Sequence, residues 1–136
     1  MRHIAQLQKQ TNAQLFSKAN TENINSNNVL IIDSIGILSS IYQYGKLAYI
    51  GGGFGVGIHN ILEAVAFGLP VIFGPNYQKF NEATELINQK GAISISNYKE
   101  LTSAIDFFSA FDNSIAINYI QENSGATTKI LNSIIT

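Results

Sequence analysis

The segment Tyr49–Pro75, YIGGGFGVGIHNILEAVAFGLPVIFGP, places a loop with five glycines between two short apolar runs. The run Leu47–Gly51 before the loop and the run Pro70–Gly74 after it are continuous and apolar, which is typical of strands buried on both faces of a sheet. Between them, His59–Phe67 has the spacing of a helix, and Gly68 follows as a common helix terminator. The segment therefore predicts a strand, a glycine loop, a helix and a second strand.

The same alternation of helices and strands continues on both sides of this segment. The predicted elements are a helix over Met1–Ala19, a strand over Val29–Asp33, a short helix over Gly36–Tyr44 closed by Gly45, a helix over Gln78–Gln89 with Gly91 as its terminator, a strand over Ala92–Ser96, and helical stretches from Tyr98 onward that include Ile115–Gln121 and Ala126–Ile135. This order predicts an α/β, Rossmann-like fold in which helices cover both faces of a parallel sheet.

The predicted sheet is small for a fold of this class. Four strands are few, and the chain opens on a helix. We therefore expect residues 1–136 to form a single domain that lacks its first strand or strands, as the C-terminal piece of a longer protein. Exposed apolar surface at the open edge favours homodimerisation of such a piece.

The composition argues against several classes of function. The net charge is −1, and the 8 basic residues are scattered, so no nucleic-acid footprint is present. There is no cysteine for a disulfide or a thiolate site, and the two histidines, His3 and His59, lie far apart in number. We expect neither a metal nor a cofactor. The sequence shows no signal peptide and no membrane-spanning run, which predicts that the chain as given is soluble.

The loop Gly51–Gly57 predicts an anion site. Glycines let the backbone approach a ligand closely, and ligands bind beyond the carboxyl ends of parallel strands. A helix N-terminus after the loop would favour a phosphate. The dinucleotide fingerprint fails because Val56 or Ile58 occupies its third glycine position, and the P-loop fails because Ile58 and His59 replace its Lys and Ser/Thr. Hydride transfer and ATP hydrolysis therefore lose support.

Three polar residues follow the loop. The i,i+3 and i,i+4 spacings of His59, Asn60 and Glu63 predict that their side chains share one helix face. The Glu63 carboxylate can accept two hydroxyl hydrogens from a ribose diol, and Asn60 can donate to a phosphate oxygen or a sugar hydroxyl. In the alternative interpretation Glu63 only caps free N–H groups and His59 is a surface residue. We favour ligand binding.

Several motifs together resemble a known family. They are Asp33–Gly36 with Leu38 and Tyr42, Gly51–Phe54, GIHNILEA at Gly57–Ala64, G-x-PV-x-FGP at Gly68–Pro75 and KF-x-EA at Lys79–Ala83. The set is similar to the C-terminal domain of the 3-deoxy-D-manno-octulosonic acid (Kdo) transferases, which are GT-B glycosyltransferases. The resemblance extends from about Val29 to Ala92.

The resemblance implies a donor-binding domain. The family moves Kdo from CMP-Kdo to a lipid A precursor in lipopolysaccharide biosynthesis, at the cytoplasmic face of the inner membrane. The implied substrate-binding residues are Glu63 at the CMP ribose, Asn60 with Gly52, Gly53, Phe54 and Gly55 at the phosphate, His59 beside them, Ile35 and Gly36 near the cytosine, and Lys79 at the donor phosphate or carboxylate. For Lys79, a solvated surface position is an equal alternative.

The same resemblance places the catalytic base, the acceptor site and a membrane anchor in an N-terminal half that this chain lacks. We therefore expect no catalytic residue here and no activity from this chain alone. Two alternatives stay open, a GT-B domain that binds a UDP-sugar, and a non-catalytic nucleotide-binding or assembly module.

Overall fold

The computed structural model describes residues 2–23 and 27–110, without the side chain of Arg2. The chain divides into two compact units, Met1–Ser40 and Ile41–Thr136, and each is considered by itself below. The predicted helices Ile115–Gln121 and Ala126–Ile135 lie outside the described residues.

The first unit contains a helix and two short parallel strands. Its elements are α1 (Arg2–Thr11), β1 (Gln14–Leu15), a 3₁₀ turn (Phe16–Lys18), β2 (Leu30–Ile31) and the start of α2 (Leu38–Tyr42), which crosses into the second unit. Gln14 lies opposite Leu30, and Leu15 lies opposite Ile31.

The prediction of one helix over Met1–Ala19 is wrong beyond Thr11. Asn12 adopts the left-handed conformation, with φ of 53°, which asparagine tolerates better than most residues. The Ala13 N–H then donates to the Gln8 carbonyl at 3.3 Å and closes the helix end. Leu15 fits the apolar spacing of α1, but it belongs to strand β1, and its side chain is buried there.

The strand predicted over Val29–Asp33 is shorter and more exposed than expected. Only Leu30–Ile31 pairs, and 41% of Leu30 is exposed. This strand is therefore not buried on both faces.

A side-chain contact fastens the end of β2 to the 3₁₀ turn. The Asp33 carboxylate accepts hydrogen bonds from the Ser17 backbone N–H, at 2.9 Å, and from the Ser17 hydroxyl. These two bonds stabilise the charged form, the hydroxyl bond more than the backbone bond, and they hold the Asp33 pKa below its ordinary value.

Asp33→Asn is expected to destabilise the protein at neutral pH. Because the folded-state pKa of Asp33 is lowered, its stabilising effect is present above the unfolded pKa, about 3.9, and is lost as the pH falls through the folded pKa. Urea unfolding at several pH values should show the gap between wild type and variant closing below about pH 4. Asp106→Asn is the matched control, since the side-chain carboxylate of Asp106 has no hydrogen-bond partner among the described residues. A gap that persists unchanged at pH 2 would contradict the assignment.

The second unit is built around a three-stranded parallel sheet. After α2 come β3 (Ala48–Ile50), α3 (Leu62–Ala66), β4 (Val71–Phe73), α4 (Asn81–Asn88), β5 (Ala92–Ser94) and α5 (Tyr98–Ser109). The strand order is β3-β4-β5, and every pair is parallel. The predicted α/β class with a parallel sheet is confirmed.

Helices cover both faces of this sheet, as predicted. Val71 and Phe73 of β4 point to one face and Ile72 to the other, and all three are fully buried. The first face belongs to a core that includes Ile50, Ile58, Ile61, Ala64, Val65, Leu69, Ala83, Leu86 and Ala92, and the second to a core of Ile95, Ala104 and Phe108. Helices α3 and α4 therefore cover one face, and α5 covers the other. At the sheet edge, 47% of Tyr49 in β3 is exposed, so burial on both faces holds for β4 but not for β3.

The two helices that flank β4 end differently. Gly68 closes α3 as predicted, with φ of 78° and its N–H donating to the Val65 carbonyl. At the end of α4 the left-handed residue is Lys90, with φ of 63°, not the predicted terminator Gly91. Gly91 instead donates to the Leu86 carbonyl at 2.8 Å, which completes the helix-closing motif.

Lys90→Gly is expected to stabilise the protein by about 1 kcal/mol, because a side chain in the left-handed conformation carries a strain that glycine avoids. Thermal unfolding measures the gain. Gln89→Gly is the matched control, since Gln89 has a negative φ of −88°. Glycine there relieves no left-handed strain and is expected to destabilise by about 0.5–1 kcal/mol, because it makes the unfolded chain more flexible. Equal effects of the two changes would contradict the argument.

Candidate functional site

The glycine loop leaves the carboxyl end of β3 and lies against the segment that follows β4. A Cβ atom on Gly53 would lie 2.5 Å from the Gly74 nitrogen, and one on Gly74 would lie 2.6 Å from the Gly53 carbonyl carbon. Two backbones therefore touch here without side chains between them. This contact is a reason for glycine at both positions that does not depend on a ligand.

Gly52 makes the sharp turn within the loop. Its φ is 91°, and a Cβ there would lie 2.3 Å from the Gly57 carbonyl oxygen and 2.9 Å from the His59 ring. The His59 N–H donates to the Gly51 carbonyl at 2.9 Å. The exposed His59 ring thus lies beside Gly51 and Gly52, as the sequence analysis placed it.

The N–H groups of the loop are unequally available to a ligand. The N–H groups of Gly55 and Gly57 both donate to the Gly52 carbonyl, at 3.0 and 3.1 Å. The N–H groups of Gly53 and Phe54 have no acceptor among the described residues. Phe54 is exposed, whereas Gly53 is buried. Of the four loop residues that the resemblance places at the phosphate, Gly55 already uses its N–H within the loop.

The prediction that His59, Asn60 and Glu63 share one helix face is wrong. Helix α3 has five residues and begins at Leu62, so His59 and Asn60 precede it. The Ile58 N–H bonds to the Asn76 carbonyl and the His59 N–H bonds to the Gly51 carbonyl, which hold this stretch alongside the loop. The helix dipole is consequently separated from the glycines by Ile58–Ile61.

Asn60 instead stabilises the turn that leads into α3. Its Oδ1 accepts a hydrogen bond from the Leu62 N–H at 2.9 Å, in the manner of an asparagine turn. Because Oδ1 accepts this bond, the Asn60 amide NH₂ is the end that remains able to donate to a ligand.

Glu63 lies in the first turn of α3 with its side chain exposed. Burial raises the pKa of the Tyr42 hydroxyl, and the negative charge of Glu63 raises it further, so the two groups interact electrostatically. The Tyr42 ring packs against Phe67, with centroids 6.2 Å apart. Leu62 and Ala66 are exposed, and α3 packs through Ala64 and Val65.

Lys79 is brought to the glycine loop. A cleft of about 210 Å³ is lined by Val56, Gly57, Asn76, Gln78, Lys79 and Phe80. The loop supplies one wall and the segment after β4 supplies the other. The position of Lys79 suits the predicted contact with a negatively charged donor, although its role stays a prediction.

Ile35 and Gly36 belong to the first unit. They follow β2 in an exposed turn, where Gly36 has φ of 91° and Ile35 is fully exposed. Their predicted place near the cytosine stays a prediction.

A larger cavity, of about 540 Å³, lies along β5 and α5 and is lined by none of the predicted site residues. Two of its polar side chains already have partners, since Asn97 caps α5 by accepting from the Glu100 N–H and Glu100 accepts from the Ser96 N–H. Within residues 2–23 and 27–110, no group of three or more His, Asp or Glu side chains is placed to hold a metal ion. No helix in this part of the chain is long and apolar enough to cross a membrane.

Three residues at the site escaped the sequence reasoning about ligands. Gly74 supports Gly53, Asn76 contacts the loop, and Tyr42 interacts electrostatically with Glu63. Each is far along the chain from the residue it contacts, and no local spacing reveals such a pair. Gly74 and Tyr42 do stand within the motifs of the family resemblance.

The fold and the loop define a parallel α/β domain with a candidate ligand site at the carboxyl ends of its strands. No family model matches the sequence. The 3-deoxy-D-manno-octulosonic acid transferase of Aquifex aeolicus (strain VF5) is 39% identical over 79 residues, covering 57% of this chain and 22% of that protein. The enzyme of the same name from Rickettsia bellii (strain RML369-C) is 33% identical over 100 residues, covering 73% of this chain and 24% of that protein.

The predicted relationship to the Kdo transferases is thereby confirmed, and the chain spans about a quarter of the length of these relatives. In fold, the chain is similar to the crystal structure of the C-terminal CMP-Kdo binding domain of WaaA from Acinetobacter baumannii. The TM-score is 0.64 at 20% sequence identity, over 96% of this chain and 67% of the other.

Proposed function

We propose that this chain is the donor-binding part of a Kdo transferase and that it binds the CMP portion of CMP-Kdo. The observation that carries the proposal is an exposed carboxylate, Glu63, in the first turn of the helix that follows a tight glycine loop. Its relatives, which bear the name Kdo transferase, and the similar fold of a CMP-Kdo binding domain support this choice of ligand.

Glu63 is assigned to the ribose. A carboxylate has two oxygens that accept hydrogen bonds, which suits the two vicinal hydroxyls of a ribose, and bonds to a charged acceptor are strong.

The phosphate is assigned to the loop and to Asn60. Phe54 is an exposed residue whose N–H has no acceptor among the described residues. The Asn60 NH₂ is left to donate because its Oδ1 accepts the bond from Leu62. Gly53 offers a second N–H, and Lys79 places a positive charge in the adjacent cleft. Donors aimed at a departing phosphate stabilise the charge that develops on it during transfer.

In a longer enzyme this part would hold the donor while residues outside this chain activate the acceptor. The transfer of Kdo to a lipid A precursor, the location at the cytoplasmic face of the inner membrane and the absence of activity in this chain alone all follow from the family. Self-association of the chain remains a further prediction.

The experiment is a calorimetric or NMR titration of the chain with CMP, UMP and UDP. We expect CMP to bind more tightly than either uridine nucleotide. Preference for UDP would favour the alternative of a UDP-sugar domain. Failure of all three nucleotides to bind both this chain and a form extended at the N-terminus would refute the proposal and favour an assembly module.

A further inference from the structure

Asn76 contacts the glycine loop through three hydrogen bonds. Its backbone N–H donates to the Gly53 carbonyl at 2.9 Å, and its side-chain Nδ2 donates to the Gly55 carbonyl. Its own carbonyl accepts from the Ile58 N–H at 3.1 Å. One residue after β4 thus binds the middle and the end of a loop that follows β3.

Two of these bonds fix the direction of peptide groups. The Gly53 carbonyl shares its planar peptide with the Phe54 N–H, and the Gly55 carbonyl shares its peptide with the Val56 N–H. In a trans peptide the C=O and the N–H point in opposite directions. Since both carbonyls point at Asn76, the N–H groups of Phe54 and Val56 point away from it. Neither N–H has an acceptor among the described residues.

We propose that Asn76 is a positioning residue of the nucleotide site, which orients the Phe54 and Val56 N–H groups as a pair of donors for the phosphate of the bound nucleotide. The inference rests on the proposed function and adds Val56 to the phosphate contacts. Val56 and Asn76 line the same cleft as Lys79, so one member of the donor pair belongs to a residue that shares a cleft with a positive charge.

The side chain and the backbone of Asn76 make separable contributions. Any residue except proline retains the backbone bond to Gly53, and with it the orientation of the Phe54 N–H. Only the side-chain amide of Asn76 bonds the Gly55 carbonyl. Removing the amide therefore releases the orientation of the Gly55–Val56 peptide, and with it the Val56 N–H, while the Phe54 N–H stays in place. The loss should therefore affect ligands that carry a phosphate and spare those that do not.

The test compares CMP with cytidine, which lacks the phosphate, by NMR titration of the chain and its variants. Asn76→Ala is expected to weaken CMP binding about tenfold, the effect of one hydrogen bond to a charged group, and to leave cytidine binding unchanged. Backbone ¹⁵N relaxation should show increased motion at Val56 but not at Phe54. Asn88→Ala, on the exposed side of α4, is the matched control and is expected to change neither ligand.

Asn76→Leu keeps the bulk of the side chain without its N–H groups, and it should behave like Asn76→Ala if the hydrogen bond is what matters. Equal weakening of CMP and cytidine in both variants would reduce Asn76 to a structural role and overturn the proposal. Unchanged CMP binding in both variants would also overturn it. If the unmodified chain binds cytidine and CMP equally, the assignment of the phosphate to the loop fails. If neither this chain nor the form extended at the N-terminus binds CMP, the proposed function itself fails, which is a different result.

Discussion

Gly53→Ala is expected to lower the free energy of unfolding by about 3 kcal/mol, the upper range for overpacking a well-packed site. The added methyl would lie 2.5 Å from the Gly74 nitrogen and 2.6 Å from its Cα. Neither partner can yield easily, because Gly74 follows the fully buried strand β4 and Gly53 is buried itself. Urea or thermal unfolding measures the loss.

Gly55→Ala is the control within the same loop. A Cβ at Gly55 meets nothing closer than the Gly52 carbonyl oxygen, at 3.7 Å, and the residue is exposed. Its substitution is expected to change stability by no more than about 0.5 kcal/mol. If the two alanine variants lost equal stability, the loop would owe its shape to glycine flexibility in general and not to the contact with Gly74.

Glu63→Ala is expected to weaken CMP binding by a factor of about 30 to 150, equivalent to about 2–3 kcal/mol for two hydrogen bonds to a carboxylate. Stability should change little, because the Glu63 side chain is exposed and accepts no hydrogen bond from the described residues. Calorimetry provides the affinity, and thermal unfolding checks the fold. Asp106→Ala removes another exposed carboxylate from the same unit as a control.

A modified ligand locates the lost interaction. The unmodified chain should bind 2′-deoxy-CMP more weakly than CMP, whereas Glu63→Ala should bind both alike, since the group that distinguishes them is absent. A Glu63→Ala variant that still discriminates between the two nucleotides would show that other residues recognise the ribose. Glu63 would then only cap free N–H groups at the start of α3.

The sheet of the second unit could be predicted because its strands are short continuous apolar runs that alternate with helices. Val71–Phe73 is the clearest case, since burial on both faces requires apolar residues at every position. The ends of the elements were less predictable. Leu15 and His59 both fit a helical spacing, but the left-handed Asn12 and the bonds of Ile58 and His59 to other loops end or delay the helix.

In the candidate site, too, some features could be predicted from the sequence and others could not. The glycines, Asn60 and Glu63 are close in the sequence, and their position after a strand marked them as ligand-binding candidates. The contacts that hold the loop in place could not be predicted from the sequence. Gly53 meets Gly74 and Gly55 meets Asn76, and in each pair the two residues are about twenty positions apart. A local pattern describes which groups a loop offers, and long-range backbone contacts decide which of them remain available.

The direct contact between the backbones of Gly53 and Gly74 packs the loop against the end of the central strand β4. The loop therefore acquires its shape when the sheet forms, before any ligand is present. Conformational entropy that a mobile loop would lose on binding has already been lost in folding. A ligand at this site would thus meet a receptor in its final shape, and the strength of binding would reflect contacts alone and not the ordering of the loop.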